Sequence, residues 1–222
     1  GYMVENRLIR RALIERVMGL RDAVLMDGRR VTALQRDGDA VAVVAESLPY
    51  IIPNVLLAKR EELLPVLLCV IRQHRDSERR DALMGSLFNL IKKPNEEQRS
   101  MIMDGFVALA RTVGPARVES ELLPQIWEQI EHKHPERRVL VAESCGALAP
   151  YVKDELRSSL ILSILTQMLD DKSPLVRAAV AKNMGMLVGT MYDDSKWTQV
   201  EQILYRLLFD TSGMVVGSAQ RY

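Results

Sequence analysis

The strongest constraint on this chain is a pattern of apolar residues that returns every 39 positions. One set of four is spaced by four, one and three residues, which places it on one face of a helix. The set and its next two copies are Leu122, Ile126, Trp127 and Ile130; Ile161, Leu165, Thr166 and Leu169; and Val200, Leu204, Tyr205 and Leu208. Only Thr166 departs from the apolar rule. A period of this length predicts repeated units that stack on one another.

A second helix in each unit keeps the same 39-residue offset. The first set and its copy are Pro135, Arg138, Ala142 and Gly146, then Pro174, Arg177, Ala181 and Gly185. The arginine also recurs in earlier units, which gives a column of four: Arg60, Arg99, Arg138 and Arg177. A period that two helices share over four units indicates a genuine repeat.

Turn-forming residues in the sequence predict where the helices begin and end. Proline and glycine separate them, as in Lys93-Pro94-Asn95 and Val113-Gly114-Pro115. The predicted pairs are 43–52 with 59–73, 80–92 with 97–112, 120–132 with 136–151, 158–170 with 174–191, and 196–209 with a partner near Met214. Strand-like alternation between turn residues is absent, so the predicted fold class is all-α.

The period, the paired helices, and a proline followed by an arginine are typical of HEAT-type, armadillo-like repeats. We therefore expect an α-solenoid of stacked antiparallel helix pairs, with the second helices on its concave side. Residues 39–222 are predicted to form the solenoid, and residues 1–38 a helical segment that packs on it. The last pair is expected to be truncated.

Composition excludes several classes of function. The 30 basic and 29 acidic side chains leave a net charge of +1, which gives no case for nucleic-acid binding. Glu46, Pro49 and Pro53 interrupt the longest apolar stretch, 40–58, so a membrane span is not predicted. Two cysteines without a C-x-x-C pattern favour a reducing, cytoplasmic setting over a disulfide framework.

Two histidines and a cysteine in 132–145 raise the question of an active site. A Zn²⁺ site needs three or four converging ligands, but the third histidine, His74, is far away in the sequence. A Cys145–His134 nucleophile would have to join a loop to the packed side of a helix. By the 39-residue offset, His132 corresponds to the turn residue Asp171, and Cys145 to the core residue Met184. We predict no metal, no cofactor and no catalytic residues.

The arginine column allows two interpretations. The four side chains could form a basic ladder that grips an acidic tail or a phosphate of a partner. Alternatively, each could bind turn carbonyls and carboxylates of the adjacent unit and fix the stacking angle. Regular recurrence favours the structural interpretation of Arg60, Arg99, Arg138 and Arg177.

A second polar column lies farther along the second helices. Asp104, Glu143 and Lys182 are 39 residues apart and stand beside apolar neighbours. We predict that these three side chains face the concave groove and bind a protein partner. Their mixed charges do not predict a purely acidic or purely basic ligand.

Three stretches resemble the HEAT-repeat region of the RELCH family, whose members combine LisH, coiled-coil and HEAT-repeat parts. They are SLPYIIPNVLLAKREELLPVLLCVI (47–71), LFNLIKKPNEEQRSMI (87–102) and ELLPQIWEQIEHKHPERRVLVAESCGALAPYV (121–152). The resemblance implies a non-enzymatic membrane-trafficking adaptor that links a GTP-loaded recycling-endosome Rab GTPase to oxysterol-binding protein. It implies a cytoplasmic protein recruited by its partners to recycling endosomes and the trans-Golgi network, where it supports tethering and non-vesicular cholesterol transport.

Two other classes of function remain as alternatives. HEAT arrays often hold catalytic subunits, so the chain could be a scaffold of a multi-subunit enzyme such as a protein phosphatase. A hydrolase that uses Cys145 and His134 would require a reactive thiol, whereas the sequence places this cysteine among small packing residues.

Overall fold

The structure, a computed structural model, describes residues 38–55, 62–191 and 194–222. These residues form helices connected by short turns and contain no strand. The chain divides into two compact units, Gly1–Ile91 and Lys92–Tyr222. The predicted segment 1–38 lies almost wholly outside the described residues, and so does Arg60.

The first unit contains three described helices: α1 (Gly38–Ile51), α2 (Leu64–Gln73) and α3 (Ser77–Leu90). α2 packs against both α1 and α3. Its apolar face, which includes Leu64, Leu67 and Ile71, is fully buried. Burial of each such side chain stabilises the fold by about 1.5–3 kcal/mol, so this face holds the three helices together.

Side-chain caps fix the first turns of two helices. The Asp76 carboxylate accepts hydrogen bonds from the backbone N–H groups of Glu78 and Arg79 at the start of α3. Asn95 and Gln98 exchange reciprocal side-chain to backbone bonds of 2.8 and 2.9 Å at the start of the next helix. Such bonds satisfy donors that the helix itself leaves unpaired.

Besides two short 3-10 segments, Ala149–Tyr151 and Asp194–Lys196, the described residues of the second unit, 92–191 and 194–222, form seven helices. They are α4 (Glu96–Val113), α5 (Pro115–Arg117, Val118–Leu122 and Leu123–Trp127), α6 (Pro135–Leu148), α7 (Asp154–Leu156, Arg157–Ile161 and Leu162–Met168), α8 (Pro174–Val188), α9 (Trp197–Leu208) and α10 (Gly213–Arg221). The middle segments of α5 and α7 are π-helical. Gly114 joins α4 to α5 with a φ of 80°, a conformation that suits glycine.

The helices of the second unit alternate between two roles. The second helices, α4, α6, α8 and α10, pack one on the next and form a continuous layer. The first helices, α5, α7 and α9, each contact the second helix before them and the second helix after them. This alternation is the packing of an all-α solenoid, and it confirms the predicted fold class.

Several predicted helix limits differ from the structure by up to five residues, and the end of α5 is one of them. The sequence places the end of α5 at residue 132, but its α-helical part ends at Trp127. Beyond it, the N–H groups of Gln129, Ile130 and His132 each bond to a carbonyl three residues earlier. These tighter turns replace the last helical turn and lead the chain into α6.

Two arginines of the column connect their own second helices, α6 and α8, to the following turn. Arg138 donates Nε to Asp171 Oδ2 at 2.6 Å and Nη2 to Oδ1 at 2.8 Å, while its Nη1 donates to the His132 carbonyl. Arg177 repeats this fork on Asp210, at 2.7 and 2.9 Å, with Nη1 on the Asp171 carbonyl. Each guanidinium thus joins the turn before its own helix to the turn before the next second helix.

Arg99 makes a different contact. Its Nη1 donates to the Pro94 carbonyl at 3.1 Å, which matches the turn contact of the other two arginines. Its Nε, however, lies 3.3 Å from Glu143 Oε2, on the neighbouring helix α6. The residue at the position equivalent to Asp171 is His132, which offers no carboxylate.

Close approach of the second helices depends on two glycines. A Cβ atom at Gly146 of α6 would collide with the Asn183 side chain of α8. A Cβ atom at Gly185 of α8 would lie 2.6 Å from the Tyr222 carbonyl oxygen. Asn183 is buried and donates Nδ2 to the Ala179 carbonyl at 2.7 Å, so it cannot retreat without losing that bond.

We expect Gly146→Ala to lower the free energy of unfolding by about 1–3 kcal/mol, because the added methyl group overpacks a closed interface. Gly217→Ala is the matched control, since no atom lies within 4 Å of a Cβ at that helical position. The control should change stability by less than about 1 kcal/mol, in the stabilising direction. Urea unfolding followed by circular dichroism measures both. Equal effects of the two substitutions would contradict the packing role of Gly146.

Candidate protein-binding surface

The second-helix layer carries the polar column that the sequence predicts. Asp104 on α4 and Lys182 on α8 are exposed, and Glu143 on α6 between them is partly buried. Both Arg99 and Lys182 act electrostatically on the Glu143 carboxylate. Within the column, Glu143 and Lys182 therefore interact electrostatically, and Asp104 is exposed on the same layer.

Glu143 is less accessible to a partner than Asp104 and Lys182, the other two side chains of the column. Burial raises the pKa of its carboxyl, and the opposing effects of Arg99 and Lys182 do not cancel that rise. Its side chain is 21% exposed and that of Arg99 is 10% exposed, so the pair is largely shielded from water. We infer that Asp104 and Lys182 are the charges most available to a partner, while Glu143 packs the layer.

The charge column continues one repeat farther, onto α10. Arg221 stands 39 positions after Lys182 and is exposed near the end of α10. The Lys182 ammonium lies 5.8 Å from the centre of the Tyr222 ring, within the range of a cation–π contact. The same offset that identified Asp104 and Glu143 could have identified Arg221.

The candidate nucleophile does not resemble an activated thiol. Cys145 is fully buried, and burial raises its pKa to about 12, with only a partial offset from Trp127 and Ser144. His134 precedes the first residue of α6, whereas Cys145 lies near the other end of that helix. A thiol with this pKa carries almost no thiolate at neutral pH.

Within the described ranges, no three His, Cys, Asp or Glu side chains come together as a group that could hold a metal ion. In the same part of the chain, no helix has both the length and the apolarity required to cross a bilayer.

We expect Cys145 to resist alkylation in the folded chain at pH 8, because its thiol is buried and protonated. Cys69 is only partly buried, so it should react first and serves as an internal comparison. Mass spectrometry after timed iodoacetamide treatment, with and without urea, separates the two sites. Rapid native labelling of Cys145 would instead support a reactive cysteine.

Comparisons with known proteins identify relatives of this chain. Residues 33–222 match the family model described as the RAB11-binding protein RELCH N-terminal domain. The chain is 54% identical over 111 residues to the RAB11-binding protein RELCH homolog of Xenopus tropicalis. It is 53% identical, over the same length, to RAB11-binding protein RELCH of Mus musculus and of Homo sapiens.

These alignments cover 45% of this chain and 9% of each relative, so the chain spans a small part of those proteins. The family model, in contrast, covers most of the chain and includes every described helix. The chain therefore belongs to the RELCH N-terminal domain family.

Proposed function

We propose that the second-helix layer of this chain binds a recycling-endosome Rab GTPase of the RAB11 type in its GTP-loaded state. The observation that carries the proposal is the family match, because the relatives are themselves named RAB11-binding proteins. The exposed charges of Asp104, Lys182 and Arg221 supply a surface on which such a partner could be recognised.

The physical basis of recognition is charge complementarity. The exposed part of the column begins with the carboxylate of Asp104 and continues, beyond the shielded Glu143, with cations at Lys182 and Arg221. A partner surface with the opposite order of charges would bind in one direction only. Such patterns set orientation and association rate more than they set affinity.

The wider role that we propose belongs to a full-length RELCH-like protein. In it, the chain would act as a non-enzymatic adaptor that links the Rab to oxysterol-binding protein. The adaptor would reside in the cytoplasm and be recruited by its partners to recycling endosomes and the trans-Golgi network. Tethering of these membranes would support non-vesicular cholesterol transport.

Calorimetric titration with RAB11, loaded in parallel with GDP and with a non-hydrolysable GTP analogue, tests the proposal. We expect binding only in the GTP state. Joint reversal of the exposed charges, Asp104→Lys with Lys182→Glu, should weaken binding about tenfold or more, since each lost contact with a charged group contributes about 1 kcal/mol.

A matched control reverses two exposed charges on the first helix α9, Glu201→Lys with Arg206→Glu, and keeps the same net charge. It should leave RAB11 affinity unchanged. Nucleotide-independent binding would favour the scaffold alternative. Equal losses in both double variants, with the helical content of each intact, would show that the second-helix layer is not the specific surface.

A further inference from the structure

A junction is the place where the arginine of one second helix meets the turn before the next second helix. In the second unit, one junction lacks the carboxylate that binds the arginine in the others. Asp171 and Asp210 each accept the two-bond fork of an arginine from the preceding second helix. The residue 39 positions before Asp171 is His132, in the turn between α5 and α6. Arg99, which is equivalent to Arg138, bonds to Glu143 instead.

His132 keeps one contact of the equivalent aspartate, the bond from a backbone N–H two residues later, but it brings no negative charge. The His134 backbone N–H donates to His132 Nδ1 at 3.2 Å, as the Ser173 N–H donates to Asp171 Oδ1 at 2.8 Å. Because Nδ1 is the acceptor, the neutral ring carries its proton on Nε2, which is then a donor. The rings of His132 and His134 are 5.3 Å apart, so two imidazoles share this corner.

Several cations surround the two rings. Lys93 from the turn before α4 and Lys133 between the histidines are both exposed. Burial lowers the pKa of both rings, and Arg137 and Lys133 lower it further in each case. Lys93 also lowers the pKa of His134, and only the Glu136 carboxylate raises it. Three cations and one carboxylate therefore act on the two rings, where the neighbouring junctions hold an aspartate.

We propose that the corner formed by Lys93, His132, Lys133 and His134 binds a phosphate monoester carried by a phosphorylated segment of a partner protein. The phosphate supplies the negative charge that Asp171 and Asp210 supply in the following junctions. Imidazole and ammonium donors suit this ligand, since a phosphate monoester carries a charge of about −1.5 to −2 near neutral pH and offers three acceptor oxygens.

The observations favour a phosphopeptide over a membrane surface. Binding to anionic lipid generally uses clusters of about four to eight basic side chains on a surface that faces the bilayer. Here the exposed lysines of the corner are few, and the carboxylates of Glu131 and Glu136 stand beside them. These carboxylates weaken the attraction of the corner for a flat anionic surface, so a single phosphate group is the ligand that the charges favour.

Nuclear magnetic resonance of the histidine rings tests the proposal directly. The chain has three histidines, and His74 belongs to the first unit, so it provides an internal reference. Titration with a short glycine-flanked phosphoserine peptide should shift the His132 and His134 ring signals saturably, leave His74 unmoved and raise the pKa of both rings. Inorganic phosphate should shift the same two rings with weaker affinity, and the unphosphorylated peptide should shift neither.

Matched variants make the test specific. Lys133→Gln should weaken phosphopeptide binding about fivefold, the effect of losing one charge contact. Lys172→Gln, 39 residues later and beside Asp171, should leave it unchanged. His132→Asp should abolish binding and raise the thermal midpoint, because the added carboxylate offers Arg99 the partner that Arg138 has.

Three results would overturn the proposal. Ring signals that do not respond to millimolar phosphopeptide would exclude the site. Equal losses in Lys133→Gln and Lys172→Gln would show diffuse electrostatic attraction. Shifts that occur with vesicles of phosphatidylcholine and phosphatidylserine, but not with the phosphopeptide, would assign the corner to a membrane surface.

Discussion

The guanidinium–carboxylate fork between a second helix and the following turn is the interaction on which the stacking of this chain depends most. Arg138 and Arg177 each use three nitrogens, two on an aspartate of the next turn and one on a carbonyl of the preceding turn. Planar bidentate geometry makes such pairs both strong and directional. A sliding movement of one repeat over the next would break both bonds to the aspartate at once.

Because these forks are largely shielded from water, they contribute more to the stability of the fold than ordinary surface ion pairs do. In the Arg138–Asp171 pair the side chains are only 15% and 10% exposed. Burial tends to raise the pKa of Asp171, but the hydrogen bonds from Arg138 and the Ser173 N–H outweigh it and lower the pKa. The folded state therefore gains stability from the ionised carboxylate above its ordinary pKa of 3.8, and loses it as the pH falls through the lowered value.

Much of this architecture follows from the sequence, because the 39-residue period reflects the stacking itself. Fold class and helix pairing could be predicted from the apolar faces, and the arginine column from its recurrence. The contact of Arg99 with Glu143 could not, because the sequence does not show that Asp171 is the partner of Arg138, and so does not show which partner Arg99 lacks at His132. Glu143 remains a predicted groove residue; its partial burial beside Arg99 is a property that its place in the column does not reveal. The early end of α5 at Trp127 also depends on local turn geometry that periodicity does not encode.

The most direct test of this account compares two adjacent aspartates by urea unfolding at pH 7. Asp171→Asn removes the charge from a buried fork and leaves Arg138 without its anion, so the free energy of unfolding should fall by about 3 kcal/mol. Asp170→Asn removes the partner of Arg206. The side chains of Asp170 and Arg206 are 74% and 50% exposed, so this loss should lower the free energy of unfolding by less than about 1 kcal/mol. Similar losses for the two variants, or no loss for Asp171→Asn, would contradict the claim that the forks hold the repeats together.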